Sequence, residues 1–286
     1  MKLKLVRHLW GVDAAAGLEQ YLPRWRGVGY EAVEAPLRTV PDAAGFRKFL
    51  KSSGLAFIPQ AFTNAFTPGG SVREHLGSLK QQLEESLAAE PLLINVHSGS
   101  DAWSLAEAQD FYGAALELEQ RVGLPFAHET HRMRYFGNPW NTRAILERFP
   151  ALKLTCDFSH WVCVAERLLE DCGAIIELAA KHCHHLHARV GYEEGPQVPD
   201  PRAPEWSRHL AVHQSWWDQV WSAQAARGLS VSTLTPEFGP APYLHTLPFT
   251  QAPVADLADI CDWMARQQLD RFKRAGHQCP NENHTP

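Results

Sequence analysis

Four short stretches in the second half of the chain end in groups that bind cations or move protons. They read Ala127-His128-Glu129-Thr130-His131-Arg132, Leu154-Thr155-Cys156-Asp157-Phe158-Ser159-His160, His185-Leu186-His187-Ala188-Arg189 and Leu234-Thr235-Pro236-Glu237-Phe238-Gly239. If each is the end of a β-strand, alternate residues share a face. Glu129 then lies with Ala127 and His131, Asp157 with Thr155, His187 with His185 and Arg189, and Glu237 with Thr235. Glu129, Asp157, His187 and Glu237 become an oxygen-rich set with one imidazole. Such donors suit a divalent ion, Mn²⁺ first, with Mg²⁺, Co²⁺ or Zn²⁺ as alternatives. Without a cation, clustered carboxylates repel one another or stay unpaired.

These residues need a scaffold that brings four strand ends together. Period-2 apolar runs predict strands at 2–10, 30–37, 55–62, 92–97, 125–131, 152–159, 184–190 and 230–237. Helical patterns fill the intervals at 14–26, 43–51, 72–89, 105–122, 140–148, 164–181, 206–226 and 255–274. Ser104 and Gly123 bracket one of these as N-cap and C-cap. Eight βα units predict an α/β chain folded as a single (β/α)₈ TIM barrel over residues 1–275, with a polar tail at 276–286. An open doubly wound sheet would call for a glycine-rich phosphate turn after an early strand. The first strand ends instead in Trp10-Gly11-Val12-Asp13. Barrel enzymes carry chemistry at the C-terminal strand ends, where all four stretches finish. The connection at 191–203 is long and rich in Pro and Gly, as binding loops and lids are.

Composition removes several classes of function. The chain has 286 residues, 45% hydrophobic and 21% charged, which is ordinary for a globular protein. A net charge of −5 argues against a general polyanion binder, so no nucleic-acid partner is expected. No apolar run reaches the ~18 residues of a membrane span, and no membrane partner is expected. The 6 cysteines form no CxxC pair and read as reduced thiols in a cytoplasm. No nucleotide fingerprint is present, so no nucleotide cofactor is implied.

The order of these motifs resembles the xylose isomerase-like TIM-barrel superfamily of sugar isomerases and epimerases. Its Glu, Asp, His, Glu metal set matches Glu129 in "HETHR", Asp157 in "CDFSH", His187 in "HLHARVG" and Glu237 in "TPEFG". Asp157-x-x-His160 and His187-x-Arg189 resemble steps of the same family, as do His97 in "NVHSG" and Glu34 in "VEAP". The resemblance implies a metal-dependent sugar isomerase or epimerase of carbohydrate metabolism. A proton leaves the carbon beside a carbonyl, giving an enediolate, and Glu129 and Glu237 remove and return it. The alternative is a lyase or dehydratase on an oxidised sugar or polyol, since the same chemistry expels a β-hydroxyl. An endonuclease-like enzyme or a non-enzymatic binder ranks below both. The third strand ends in Gln60-Ala61-Phe62-Thr63, not in the histidine that a three-metal nuclease would require. His160, Arg189, His97, His131 and Trp10 are the expected contacts to a small carbohydrate substrate. Each has a plainer reading: His160 as a helix cap, Arg189 in an ion pair with Glu129 or Glu194, and His97 as a core histidine. Trp140 and Trp161 are weaker stacking candidates. Trp216, Trp217 and Trp221 read as helix packing. A homo-oligomer is compatible with the sequence.

Overall fold

The computed structural model describes residues 1–40, 42–65 and 69–276. Strands β1 (Lys2–His8), β2 (Tyr30–Ala35), β3 (Ala56–Phe62), β4 (Ile94–His97), β5 (Phe126–Glu129), β6 (Lys153–Cys156), β7 (Cys183–His187) and β8 (Val231–Thr235) pair in parallel. They close into a barrel in sequence order, with β8 beside β1. Each strand is short and nearly all buried, which fits a core strand covered on both faces.

Helices α1 (Leu22–Val28), α2 (Ala43–Ser53), α3 (Val72–Leu87), α4 (Leu105–Val122), α5 (Pro139–Arg148), α6 (Phe158–Ala165), α7 (Gly173–His182), α8 (Ser207–Ala226) and α9 (Leu257–Arg274) cover the sheet. Their ends follow local chemistry. Ser71 opens α3 and Ser104 opens α4, each in a reciprocal capping box with Glu74 or Glu107. Gly123 ends α4 at φ 70°, a conformation glycine adopts without a Cβ clash. Trp217 and Trp221 on α8 are fully buried and pack the helix layer onto the barrel.

Four expectations need correction. The helix expected at 164–181 is two helices, α6 and α7, because Glu166 adopts φ 51° and closes α6 as its C-cap. The helix expected at 14–26 begins as a 3₁₀ turn at Leu18–Tyr21, and the α-helix starts only at Leu22, with Pro23 in its first turn. The fifth strand ends at Glu129, so His131 lies in the following turn and not on the strand. The sixth ends at Cys156, which makes Asp157 the N-cap of α6. The predicted tail falls outside the described residues from 277 onward.

Candidate active site

β5 to β8 end at one level. Ligand-type atoms of Glu129, Asp157, His187 and Glu237 all lie within 4.8 Å of one another, and all four residues are buried. The His187 Nδ1 atom is 3.0 Å from Glu237 Oε2, 3.7 Å from Glu129 Oε1 and 4.0 Å from Asp157 Oδ2. Glu129 Oε1 is buried without a hydrogen bond, while His187 Nδ1 and Glu237 Oε2 face each other and Arg189 pairs with that oxygen at 3.2 Å. Buried polar atoms normally find partners, so this convergence makes the cluster a candidate site for a cation. The donor set of carboxylate oxygens and one imidazole nitrogen fits a divalent ion.

Strands β2 to β4 hold this cluster from the other side. Asn95 Nδ2 donates to Glu34 Oε1 at 2.9 Å and to Glu129 Oε2 at 2.8 Å. Gln60 Nε2 donates to Glu34 Oε1 at 3.2 Å and Glu237 Oε1 at 3.4 Å. Glu34 also accepts from Thr235 Oγ1 at 2.6 Å and faces His185 Nε2 at 3.0 Å. Its Oε1 sits 3.0 Å from His187 Nε2. A carboxylate there fixes the proton on Nε2 and turns Nδ1 toward the cluster.

Electrostatics follow from this crowding. Burial pushes Glu129 above the usual carboxylate range and Asp157 up to about 6. Burial acts the same way on Glu34 and Glu237, but neighbouring His187 outweighs it and holds both well below that range. His187 is itself desolvated. Glu237, Glu34 and Glu129 around it nonetheless hold its imidazolium well above the usual value. The carboxylates thus share the positive charge of His187 and of the buried Arg189.

Arg189 is fully buried and pairs with Asp157 Oδ2, with Glu237 Oε2 at 3.2 Å. Neither Glu129 nor Glu194 is its ion-pair partner. Its Nη2 also donates to His160 Nε2 at 2.6 Å. His160 therefore carries its proton on Nδ1, and that atom is buried without a hydrogen-bond partner. The His131 and His160 rings lie 4.0 Å apart, and His97 meets His131 edge-on at 4.9 Å. His97 Nε2 approaches Glu129 Oε2 to 2.8 Å and its ring stacks on Phe62. Burial lowers all three histidines, His131 to about 3, so this wall is uncharged at neutral pH.

A cavity of about 710 Å³ opens above the cluster. His97, His131, Arg189, Glu237 and Trp10 line it, so of the expected substrate contacts only His160 lies behind the surface. Trp140 is 44% exposed beneath Arg167, away from the cavity, and Trp161 is fully buried. Sequence reading passed over Asn95, Gln60, His8, Arg132 and Tyr243 as site residues. Asn95 and His8 carry a parity signal, being polar residues at or near the ends of apolar strands. Tyr243 sits in the irregular segment after β8 and has none. His8 Nδ1 accepts from the Trp10 backbone N–H at 2.8 Å, which leaves a protonated Nε2 3.4 Å from Glu237 Oε1.

The loop at 191–203 is not a wall of this cavity. Gln197 clasps Gly239, donating to its carbonyl at 3.1 Å and accepting from its N–H at 2.8 Å. Asp200 and Arg202 pair with each other. The segment anchors the exit of β8. A Cβ on Gly239 would stand 2.2 Å from the Trp10 indole, so only glycine lets that ring lie across the β8 end.

No family model matches the chain, and no curated protein is similar to it in sequence. Solved structures are similar in fold. A xylose isomerase-like TIM barrel protein from Mycobacterium smegmatis in complex with magnesium is 12% identical, with TM-score 0.65, over 95% of this chain and 97% of that one. A D-tagatose 3-epimerase-like protein is 12% identical, with TM-score 0.60, over 96% and 98%. A probable 3-DHS dehydratase from Bacillus anthracis is 13% identical, with TM-score 0.58, over 94% and 99%. The chain therefore has the fold of the xylose isomerase-like TIM barrels.

Proposed function

We propose that the protein is a divalent-metal-dependent isomerase or epimerase acting on a hydroxy-carbonyl compound of the sugar class. The observation that carries this reading is the convergence of buried Glu129, Asp157, His187 and Glu237 beneath an open cavity, with Glu129 Oε1 left without a hydrogen bond. Glu129, Asp157, His187 and Glu237 would hold the ion. When bound, it supplies Lewis acidity toward adjacent carbonyl and hydroxyl oxygens. A Mg²⁺-bound protein of this fold supports a divalent ion, and Mn²⁺ is our choice among the candidates.

The protein's own groups then move the proton. Glu129 and Glu237 lie on β5 and just beyond β8, on either side of the β6 and β7 donors. One removes the proton next to the carbonyl and the other returns it at the neighbouring carbon or the opposite face. Glu237 is assigned the proton-accepting role, because it lines the cavity and its lowered pKa keeps it ionised, although a low pKa also makes it a weak base. Glu129, raised by burial, holds a proton more readily and is assigned its return. Neutral His97 and His131 and the Arg189 guanidinium orient substrate oxygens. Five described cysteines are free, and no helix among the described residues is long and apolar enough to cross a membrane. A cytoplasmic location is part of this proposal.

The test is solvent-deuterium exchange over a panel of ketoses and keto-acids with Mn²⁺, Mg²⁺ or Co²⁺ present. Label entering a C–H bond of recovered substrate or product is the expected result. Loss of a β-hydroxyl as water, with no isomer formed, would favour the dehydratase reading. That reading draws support from a dehydratase among the similar structures. No exchange with any metal would overturn both.

A further inference from the structure

The cavity has two chemically distinct ends. The deep end carries Glu237, His97 and Arg189, which the proposed reaction uses. The outer end is walled by Trp10, Val12, Pro36, Val40, Met133 and Tyr243. A polyhydroxy chain gains little there, because hydroxyls pressed against apolar walls lose water without gaining partners. The volume of 710 Å³ lies well within the ~300–1,000 Å³ range of small-molecule sites, with room for more than the reacting atoms.

Two cations, Arg38 and Arg132, also line this outer end. Arg132 is half-buried in the cavity wall, and its guanidinium carbon lies 5.0 Å from the centre of the Tyr243 ring. It has no carboxylate partner among the described residues. The neighbouring arginines are engaged otherwise, and the Arg38 guanidinium carbon lies 4.8 Å from the centre of the Phe62 ring. Arg189 pairs with Asp157 and Glu237, and Arg134 donates to the carbonyls of Thr63, Gly99 and Ala65. The backbone that presents Arg132 is itself unusual. Met133 next to it takes φ 66°, a left-handed conformation that a side chain of this size rarely adopts. Such conformations persist where the surroundings enforce them, and they gather at ligand sites.

We propose that Arg132 and the apolar outer chamber form a subsite for a carboxylate carried on a ring. The substrate class is then an acidic, ring-bearing hydroxy-ketone, not a neutral open-chain sugar. The hydroxy-ketone part of this inference rests on the enediolate reading above; the acid subsite does not. A guanidinium fork matches a carboxylate bidentately, while Trp10 and Tyr243, edge to face at 4.9 Å, cover the ring.

The probes are quinate, a ring-bearing polyhydroxy carboxylate, and its neutral methyl ester. Their affinities for the Mg²⁺-loaded protein are measured by ligand-observed NMR. The wild-type protein should bind the acid at least about tenfold more tightly than the ester. Arg132→Met should abolish that difference by weakening the acid alone, and Arg132→Lys should keep part of it. Unchanged ester binding in Arg132→Met shows that the variant is folded. Equal binding of acid and ester by the wild type, a preference that survives Arg132→Met, or no binding of either at ~10 mM would each overturn the subsite. Deuterium exchange separates this outcome from the chemistry. Exchange on neutral ketoses with no acid preference removes the subsite and leaves the reaction. Acid preference with no exchange on any carbonyl compound does the reverse.

Discussion

The two halves of the barrel do different work at the same level. β5 to β8 supply Glu129, Asp157, His187 and Glu237, whose ligand-type atoms converge within 4.8 Å of one another. β2 to β4 supply Glu34, Gln60 and Asn95, whose amide and carboxylate groups hold those residues from behind. The charged donors gather in one half, while the other gives mostly amides that already donate, with Asn95 Oδ1 left unpaired. A cluster of like charges survives folding because opposing amides, one imidazole and the buried Arg189 guanidinium orient and neutralise it, so the cluster and its supporting groups have to be read together.

The contrast breaks most sharply at its centre. His187→Ala should abolish both specific divalent-metal uptake, measured by elemental analysis after loading, and turnover. Retained stoichiometric metal would remove His187 from the binding half. Glu129→Gln and Glu237→Gln should each lower turnover by ~10²–10⁴-fold while keeping metal, since an amide oxygen still coordinates. Near wild-type rates in both variants would rule out the two-glutamate proton transfer.

The supporting half should show a smaller effect. Glu34→Gln should weaken metal binding roughly 10–100-fold in a metal titration, because the charged acceptor behind His187 Nε2 is replaced by a neutral one. An unchanged affinity would make Glu34 a fold residue only. Acidity tests the same division. Asp157 is pushed up to about 6, and a protonated carboxyl or imidazolium cannot ligate. Metal affinity should therefore rise with pH through about 6, with protons released on loading. Calorimetry in two buffers of different ionisation enthalpy reads that release, and a flat profile would refute it. A change far from either half gives the baseline. Ser104→Ala removes the α4 cap and should cost about 1 kcal/mol of stability in denaturant melts, with metal affinity unaltered.

Much of the binding half was legible in the sequence, and little of the supporting half. Strand parity alone puts Glu129, Asp157, His187 and Glu237 on inward faces. Barrel closure then brings the four strand ends together. Glu34, Gln60 and Asn95 also obey parity, but their partners lie on other strands. The Thr235–Glu34 bond, for one, spans 201 residues. Period-2 reading shows which way a side chain faces and not whom it meets. His131 lies two residues beyond the strand end at Glu129, where the sequence pattern continues although the strand does not. The break between α6 and α7 was hidden because Glu166, a good helix former, sits at the left-handed cap usually taken by glycine.

Gly239 sets the gauge of the entrance by what it lacks. The Trp10 indole occupies the space where a side chain would stand, while Gln197 clamps the backbone on both sides. Trp10 cannot swing further toward β8, and the β8 exit cannot retreat from it. A side chain at position 239 thus requires a smaller residue at position 10. The pair is therefore a natural first target for redesigning this scaffold toward larger or smaller guests.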